Sequence, residues 1–113
     1  MTCTDTRSAN SAIARLNDSF RRRPGADWLI TCGVRDQGPL FTLCATNAVA
    51  KFEAFTADND PYGEHDFGSF ELTGQRLFWK IDYYDQDLQF GSPDPSDPTV
   101  TRRVLTIMLA SEY

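Results

Sequence analysis

The sequence predicts an α+β fold, with a small antiparallel or mixed sheet that includes a 67–85 hairpin, packed against about three helices. Two pattern types carry this: alternating apolar residues over 67–85, and helical apolar spacing over 8–22, 40–56 and 98–111. The size of the chain agrees. With 113 residues, 41% of them hydrophobic and 12% aromatic, residues 1–113 suit a single domain with one core.

In 8–22, Ile13, Leu16 and Phe20 recur at helical spacing, and Arg21, Arg22 and Arg23 stand at the negative end of the dipole. Pro24-Gly25 stops the helix. Trp28–Val34 is rich in β-formers and reads as a strand. Over 40–56, Leu40, Leu43, Cys44, Ala48, Phe52 and Phe55 fit a helix with Pro39 near its first turn, although Leu40–Leu43 also has strand composition. In 67–85, a Gly74-Gln75 loop sets Leu72 opposite Leu77, Phe70 opposite Trp79 and Gly68 opposite Ile81 on one face. The other face pairs Glu71 with Phe78, Ser69 with Lys80 and Phe67 with Asp82, and a one-residue slip would undo the sorting. Residues 86–98 hold three prolines among acids and read as an extended loop, opened by an edge strand at Leu88–Phe90. Asp97 then reads as an N-cap and Pro98 as the first residue of a last helix, 98–111, striped by Val100, Val104, Ile107 and Met108.

The motifs define no enzyme. Cys3, Cys32 and Cys44 are an odd, widely spaced set without Cys-x-x-Cys, and they read as reduced, mostly buried thiols rather than a zinc site with His65. A single histidine excludes His…His-Asp phosphohydrolase chemistry, and no Gly-x-Ser-x-Gly elbow, phosphate-binding loop, dinucleotide fingerprint or His-Glu-x-x-His is present. No catalytic residue, metal-ligand set or cofactor is assigned. No run approaches 18 apolar residues and no basic-then-apolar leader opens the chain, so a soluble cytoplasmic protein without a membrane partner is expected.

The net charge of −5 hides a polarised chain. Residues 52–98 hold eleven acids against Arg76 and Lys80, a net of −9, while residues 1–51 carry +3 and 99–113 carry +1. A stripe this dense repels nucleic acid and attracts basic protein surfaces or divalent cations. Direct nucleic-acid binding would fall to Arg21, Arg22, Arg23, Arg102 and Arg103 alone. Asp58-Asn59-Asp60-Pro61-Tyr62-Gly63 begins like a calcium loop but has Tyr62 at the fifth position and Ser69 at the twelfth, where an acid is needed. Aromatic residues interleaved with the acids favour a partner surface built from Asp58, Asp60, Tyr62, Glu64, His65, Asp66, Phe67, Lys80, Asp82, Tyr84 and Asp85. That reading expects the carboxylates to form one exposed face that the terminal arginines leave unneutralised.

Several segments carry a resemblance. Leu16–Arg21, Thr31–Val34, Asp58–Gly68, Phe78–Asp85, Gly91–Pro95 and Thr101–Ala110 together resemble the domain-of-unknown-function 3768 family, with 35–50 the least typical stretch. The resemblance implies a proteobacterial setting, often on mobile elements, and transfers no catalytic residue. Two functions are then expected in competition. One is an acidic protein–protein interaction module, an inhibitor of the anti-CRISPR or anti-restriction type that blocks the basic nucleic-acid-binding surface of a host defence complex. The alternative is a small metal-dependent hydrolase using the Asp/His-rich 58–66 loop.

Overall fold

The computed structural model describes residues 6–113; Cys3 lies outside the described residues. Helix α1 (Thr6–Arg21) leads to strand β1 (Trp28–Ile30), a four-residue helix α2 (Cys32–Arg35) and helix α3 (Pro39–Ala50). Strands β2 (Phe67–Leu72), β3 (Gln75–Tyr84) and β4 (Arg102–Leu109) follow, and a short 3-10 turn at Ala110–Glu112 ends the chain. The strands form one mixed sheet in the order β1-β4-β3-β2, with β1 parallel to β4 and the other pairs antiparallel. The fold is therefore α+β, three helices with a four-stranded mixed sheet.

Strand parity decides what is inside. Leu77, Trp79 and Ile81 of β3 alternate with half-exposed neighbours, as do Leu105 and Ile107 of β4. These inward residues join Trp28, Val34, Ala45, Val49 and Phe52 in a single buried cluster, to which α1 adds Phe20 at the margin. The inward face is thus the helix-covered one. The opposite face presents Leu29, Phe67, Phe78, Lys80, Asp82, Tyr84, Arg102, Val104 and Thr106, of which none is buried.

The hairpin keeps the expected sorting of faces but shifts its register by two residues. Leu72 pairs with Gln75, Phe70 with Leu77 and Gly68 with Trp79, so the loop is Thr73-Gly74. Both loop residues have positive φ, 49° and 84°, as a type I′ turn requires. A shift of two preserves parity, which is why the apolar side chains still face inward. Gly68 is fixed by packing, because a Cβ there would overlap the Trp79 indole and come within 2.8 Å of Phe52.

The expected last helix is instead the central strand β4. Arg103, Leu105 and Ile107 point inward and Arg102, Val104 and Thr106 outward, while Met108 is buried beyond them. Near its end β4 buries successive residues, Ile107 on the helix-covered face and Met108 on the other, and the resulting run Leu105–Leu109 mimics a wide helical stripe. Asp97 does not cap a helix; its Oδ1 accepts from the Thr99 amide and hydroxyl in a tight turn. Smaller corrections follow the same logic. β1 ends at Ile30, and Cys32–Arg35 turns helical. Helix α3 ends at Ala50 rather than 56, after which Phe52 and Phe55 pack on Trp79 with ring centroids 5.5 and 6.1 Å away. Leu88–Phe90 makes no strand; a single bridge joins Tyr84 to Gly91. Cys32 and Cys44 are exposed thiols, not buried ones.

The last residues fold back on the sheet. The Glu112 carboxylate accepts from the Thr31 hydroxyl at 2.7 Å, the Leu109 amide at 2.8 Å and the Gly33 amide at 3.1 Å. These donors hold its carboxyl below the usual range. The latch sets the Tyr113 ring against Phe67 and Phe78 on the open face.

Candidate functional site

Two loops lie at the same end of the sheet. Residues 57–66 run into the start of β2, and residues 85–101 connect the end of β3 to the start of β4; since Tyr84 pairs with Arg102, and Phe67 with Lys80, all three strand ends lie on the same side. The two loops contain eight carboxylates (Asp58, Asp60, Glu64, Asp66, Asp85, Asp87, Asp94 and Asp97) and no lysine or arginine. Tyr62 and Phe90, each 73% exposed, and Leu88, 42% exposed, lie among them.

The first loop is braced from within. Asp60 Oδ1 accepts from the Glu64 and His65 amides, both at 3.2 Å. This grip holds His65 at φ +57°, a left-handed conformation that costs a side-chain-bearing residue energy. His65 Nδ1 lies 2.9 Å from Asp18 Oδ1, its Nε2 lies 3.6 Å from Asp60 Oδ2, and its ring stacks on Phe55 at 3.9 Å. With both ring nitrogens turned to carboxylates, the imidazole braces the loop against α1 and Phe55.

Behind the loop, fully buried Asn17 joins three segments. Its amide nitrogen donates to the Glu64 carbonyl and to the Tyr83 hydroxyl, each at 2.9 Å, and its oxygen accepts from Arg103 Nε at 2.6 Å. Tyr83 in turn donates to Glu64 Oε1 at 3.0 Å. Burial first, and the charges of Asp66 and Glu64 after it, push the phenol upward, so it remains a donor at any physiological pH.

The sequence-derived site residues therefore fall into two groups. Asp58, Asp60, Tyr62, Glu64, His65, Asp66 and Asp85 belong to the acidic end. Phe67, Lys80, Asp82 and Tyr84 stand on the open sheet face. There Lys80 pairs with Asp82 at 3.1 Å and Arg76 with Glu71 at 3.3 Å, so that face is nearly neutral. Of the chain-end arginines, Arg21 turns to Asp18 and Arg102 to Asp27, whereas Arg103 reaches into the acidic end, bonded to Asn17 and to the Pro95 carbonyl but to no carboxylate among the described residues. Asn17, Asp18, Leu88 and Phe90 were not predicted. Asn17 and Asp18 gain their roles only through tertiary contact, whereas Phe90 counts among the aromatic residues interleaved with the acids in the sequence, and Leu88 reads there only as part of an edge strand. Among the described residues, no group of three or more His, Cys, Asp or Glu is placed to hold a metal ion.

Asp66 carries a testable cost. Burial, followed by the charges of Glu64, Asp60 and Asp82, raises its carboxyl above the ordinary value despite a bond from its own amide. A carboxyl raised by folding binds its proton more tightly in the native state, so it lowers stability as pH rises through that folded value. Asp66→Asn should therefore melt above the wild type at pH 7, with the gain fading to nothing below about pH 3, where both states are protonated. Melting curves across this range check it; a variant less stable at neutral pH contradicts it.

A one-sided mixed sheet under three helices, ending in two carboxylate loops without lysine or arginine, defines a small α+β protein with an acidic end. Its sequence matches the family described as Protein of unknown function (DUF3768) over residues 30–112, and the chain belongs to that family. The match takes in 35–50 and begins after α1, so Leu16–Arg21 lies outside it. No curated protein and no solved structure matches the chain. No helix among the described residues is long and apolar enough to cross a membrane.

Proposed function

We propose that this protein is a non-catalytic interaction module that offers its acidic sheet end to a basic surface of another protein, one built to hold nucleic acid. The observation that carries this reading is the pair of loops with eight carboxylates and no lysine or arginine, which also carry exposed Tyr62, Leu88 and Phe90. Hydrogen bonds fix several of these carboxylates in place: Asp60 accepts from the Glu64 and His65 amides, Asp85 from the Gln89 amide, and Asp97 from the Thr99 hydroxyl and amide, which hold the Asp97 carboxyl low. Fixed charges steer association and set register, and the aromatic side chains supply the desolvated contact that charge alone lacks. Phe67, Lys80, Asp82 and Tyr84 extend the surface along the sheet. In the mobile-element setting that the family implies, such a module acts as an inhibitor of the anti-CRISPR or anti-restriction type, with carboxylates standing where phosphates would.

The test is displacement of labelled duplex DNA from a purified CRISPR effector or restriction complex of the same cell. The protein should release the DNA, and its apparent affinity should fall roughly tenfold or more between low and high salt. The Asp58→Lys/Asp87→Lys double variant, altered at two exposed acids, should release at least tenfold less at equal concentration. DNA that stays bound, or release indifferent to both salt and charge reversal, overturns the reading.

A further inference from the structure

Arg103 is the most unusual charge in the molecule. It is 7% exposed, yet among the described residues no carboxylate lies within 4 Å of it. Its guanidinium donates to two neutral groups, the Asn17 side-chain oxygen and the Pro95 carbonyl, and lies over the Tyr83 ring at 5.2 Å. Burial acts to lower its pKa, opposed by the Tyr83 phenol and the Glu64 carboxylate nearby. A buried cation bonded to neutral acceptors is under-compensated, and an anion placed beside it would be strongly favoured.

The structure supplies room for one. A groove of about 390 Å³ runs between the C-terminal half of α1 and the 98–103 segment, and Arg103 lines it. Arg23 and Ser19 enter from the α1 side, both exposed. Arg102 lies across from them, fixed by Asp27 through a two-point contact of 3.0 and 3.2 Å. Asp27 is the only carboxylate in the lining, and its charge is taken up by that pair. Leu16, Phe20 and Pro98 give the groove an apolar wall.

We propose that this groove binds a phosphate monoester attached to a planar ring, with Arg103 and Arg23 holding the phosphate and Phe20 and Pro98 bordering the ring. Two guanidiniums without carboxylate partners suit a dianion better than a single carboxylate, because planar donor forks match phosphate oxygens two at a time. The apolar wall favours a ring-bearing ester over free phosphate. A mononucleotide and the 5′-phosphorylated end of a nucleic-acid strand both carry this chemistry. The groove borders the 85–101 loop through Pro98 and Thr101 but takes no carboxylate from it, and it does not rest on the proposed partner of the acidic end.

Calorimetric titration with AMP, adenosine, inorganic phosphate and a short single strand with or without a 5′-phosphate tests the proposal. AMP should bind at least tenfold more tightly than adenosine or free phosphate. Arg23→Glu, a change at an exposed side chain, should weaken AMP binding at least tenfold while leaving the melting temperature unchanged. Arg103→Gln should abolish binding, and the Arg23 variant decides the matter if Arg103→Gln does not fold. Competition by the 5′-phosphorylated strand, and not by its 5′-hydroxyl form, assigns the ligand to strand ends; AMP binding without such competition assigns it to free nucleotides. Adenosine binding as well as AMP, an Arg23→Glu variant that binds AMP unchanged, or no binding of any phosphate at millimolar concentration overturns it.

Discussion

Asn17→Ala is expected to destabilise the protein by about 3 kcal/mol, lowering its melting temperature by roughly 10–20 °C. Truncation removes one acceptor and two donated bonds at a site with no solvent to replace them. The largest share comes from Arg103, whose Nε loses its partner while its charge stays buried; hydrogen bonds to charged groups carry about 1.5–3 kcal/mol, against about 1 for a neutral pair. The Glu64 carbonyl and the Tyr83 hydroxyl lose a donor as well, although Tyr83 keeps its bond to the Glu64 carboxylate. Asn17→Asp separates these contributions. It preserves an acceptor for Arg103 but removes both donors and faces the Glu64 carbonyl with a negative oxygen, so it should fall between Asn17→Ala and the wild type. Denaturant titration of the three proteins checks the order. An Asn17→Ala loss below about 1 kcal/mol would mean that Asn17 is not the joint between α1, the acidic loop and β4.

The particular residues show why some of this was legible and some was not. The hairpin was readable because its inward side chains alternate over many positions, and alternation survives a wrong choice of loop. The two-residue shift arose because Thr73, a β-branched residue, adopts φ +49°, which local preference disfavours and tertiary fit enforces. Strand β4 was unreadable as a strand because Leu105, Thr106, Ile107, Met108 and Leu109 run together, and a run of that kind has no period to distinguish a buried strand from a buried helix. The resemblance of the 58–68 and 78–85 segments identified the family correctly, and the acidic character of both loops was plain from counting. What counting could not show is which acids brace their own loop. Asp60 and His65 look like a reactive pair in sequence, yet one caps backbone amides and the other is held between Asp18, Asp60 and Phe55. Arg21, Arg22 and Arg23 look alike in sequence, yet Arg21 is buried while Arg22 and Arg23 are exposed.

That difference makes Arg21→Ala the second severe substitution, with an expected cost of about 3–5 kcal/mol. Arg21 is 1% exposed and ties three parts of the fold together. Its Nη1 donates to the Val49 carbonyl at 3.0 Å, which also accepts from the Phe52 amide at 3.2 Å, and more weakly to the Ala50 carbonyl at 3.4 Å, at the end of α3. Its Nη2 donates to Asp18 at 2.9 Å, and its guanidinium carbon lies 5.4 Å from both the Phe55 and the Trp79 ring centroids. Removal takes a charged donor from the last carbonyls of α3, leaves a cavity over Trp79 and takes away the cation that shares Asp18 with His65. Arg21→Lys keeps the charge but lacks the fork that spans α3 and Asp18 together, so it should recover less than half of the loss. The two variants also differ in where the damage spreads. If Arg21 holds the acidic loop in place through Asp18 and His65, amide hydrogen exchange should accelerate at Glu64 and His65 in Arg21→Ala beyond what the global loss of stability explains. Exchange that rises uniformly across the chain would confine Arg21 to core packing and leave the loop supported by Asp60 and Asn17 alone.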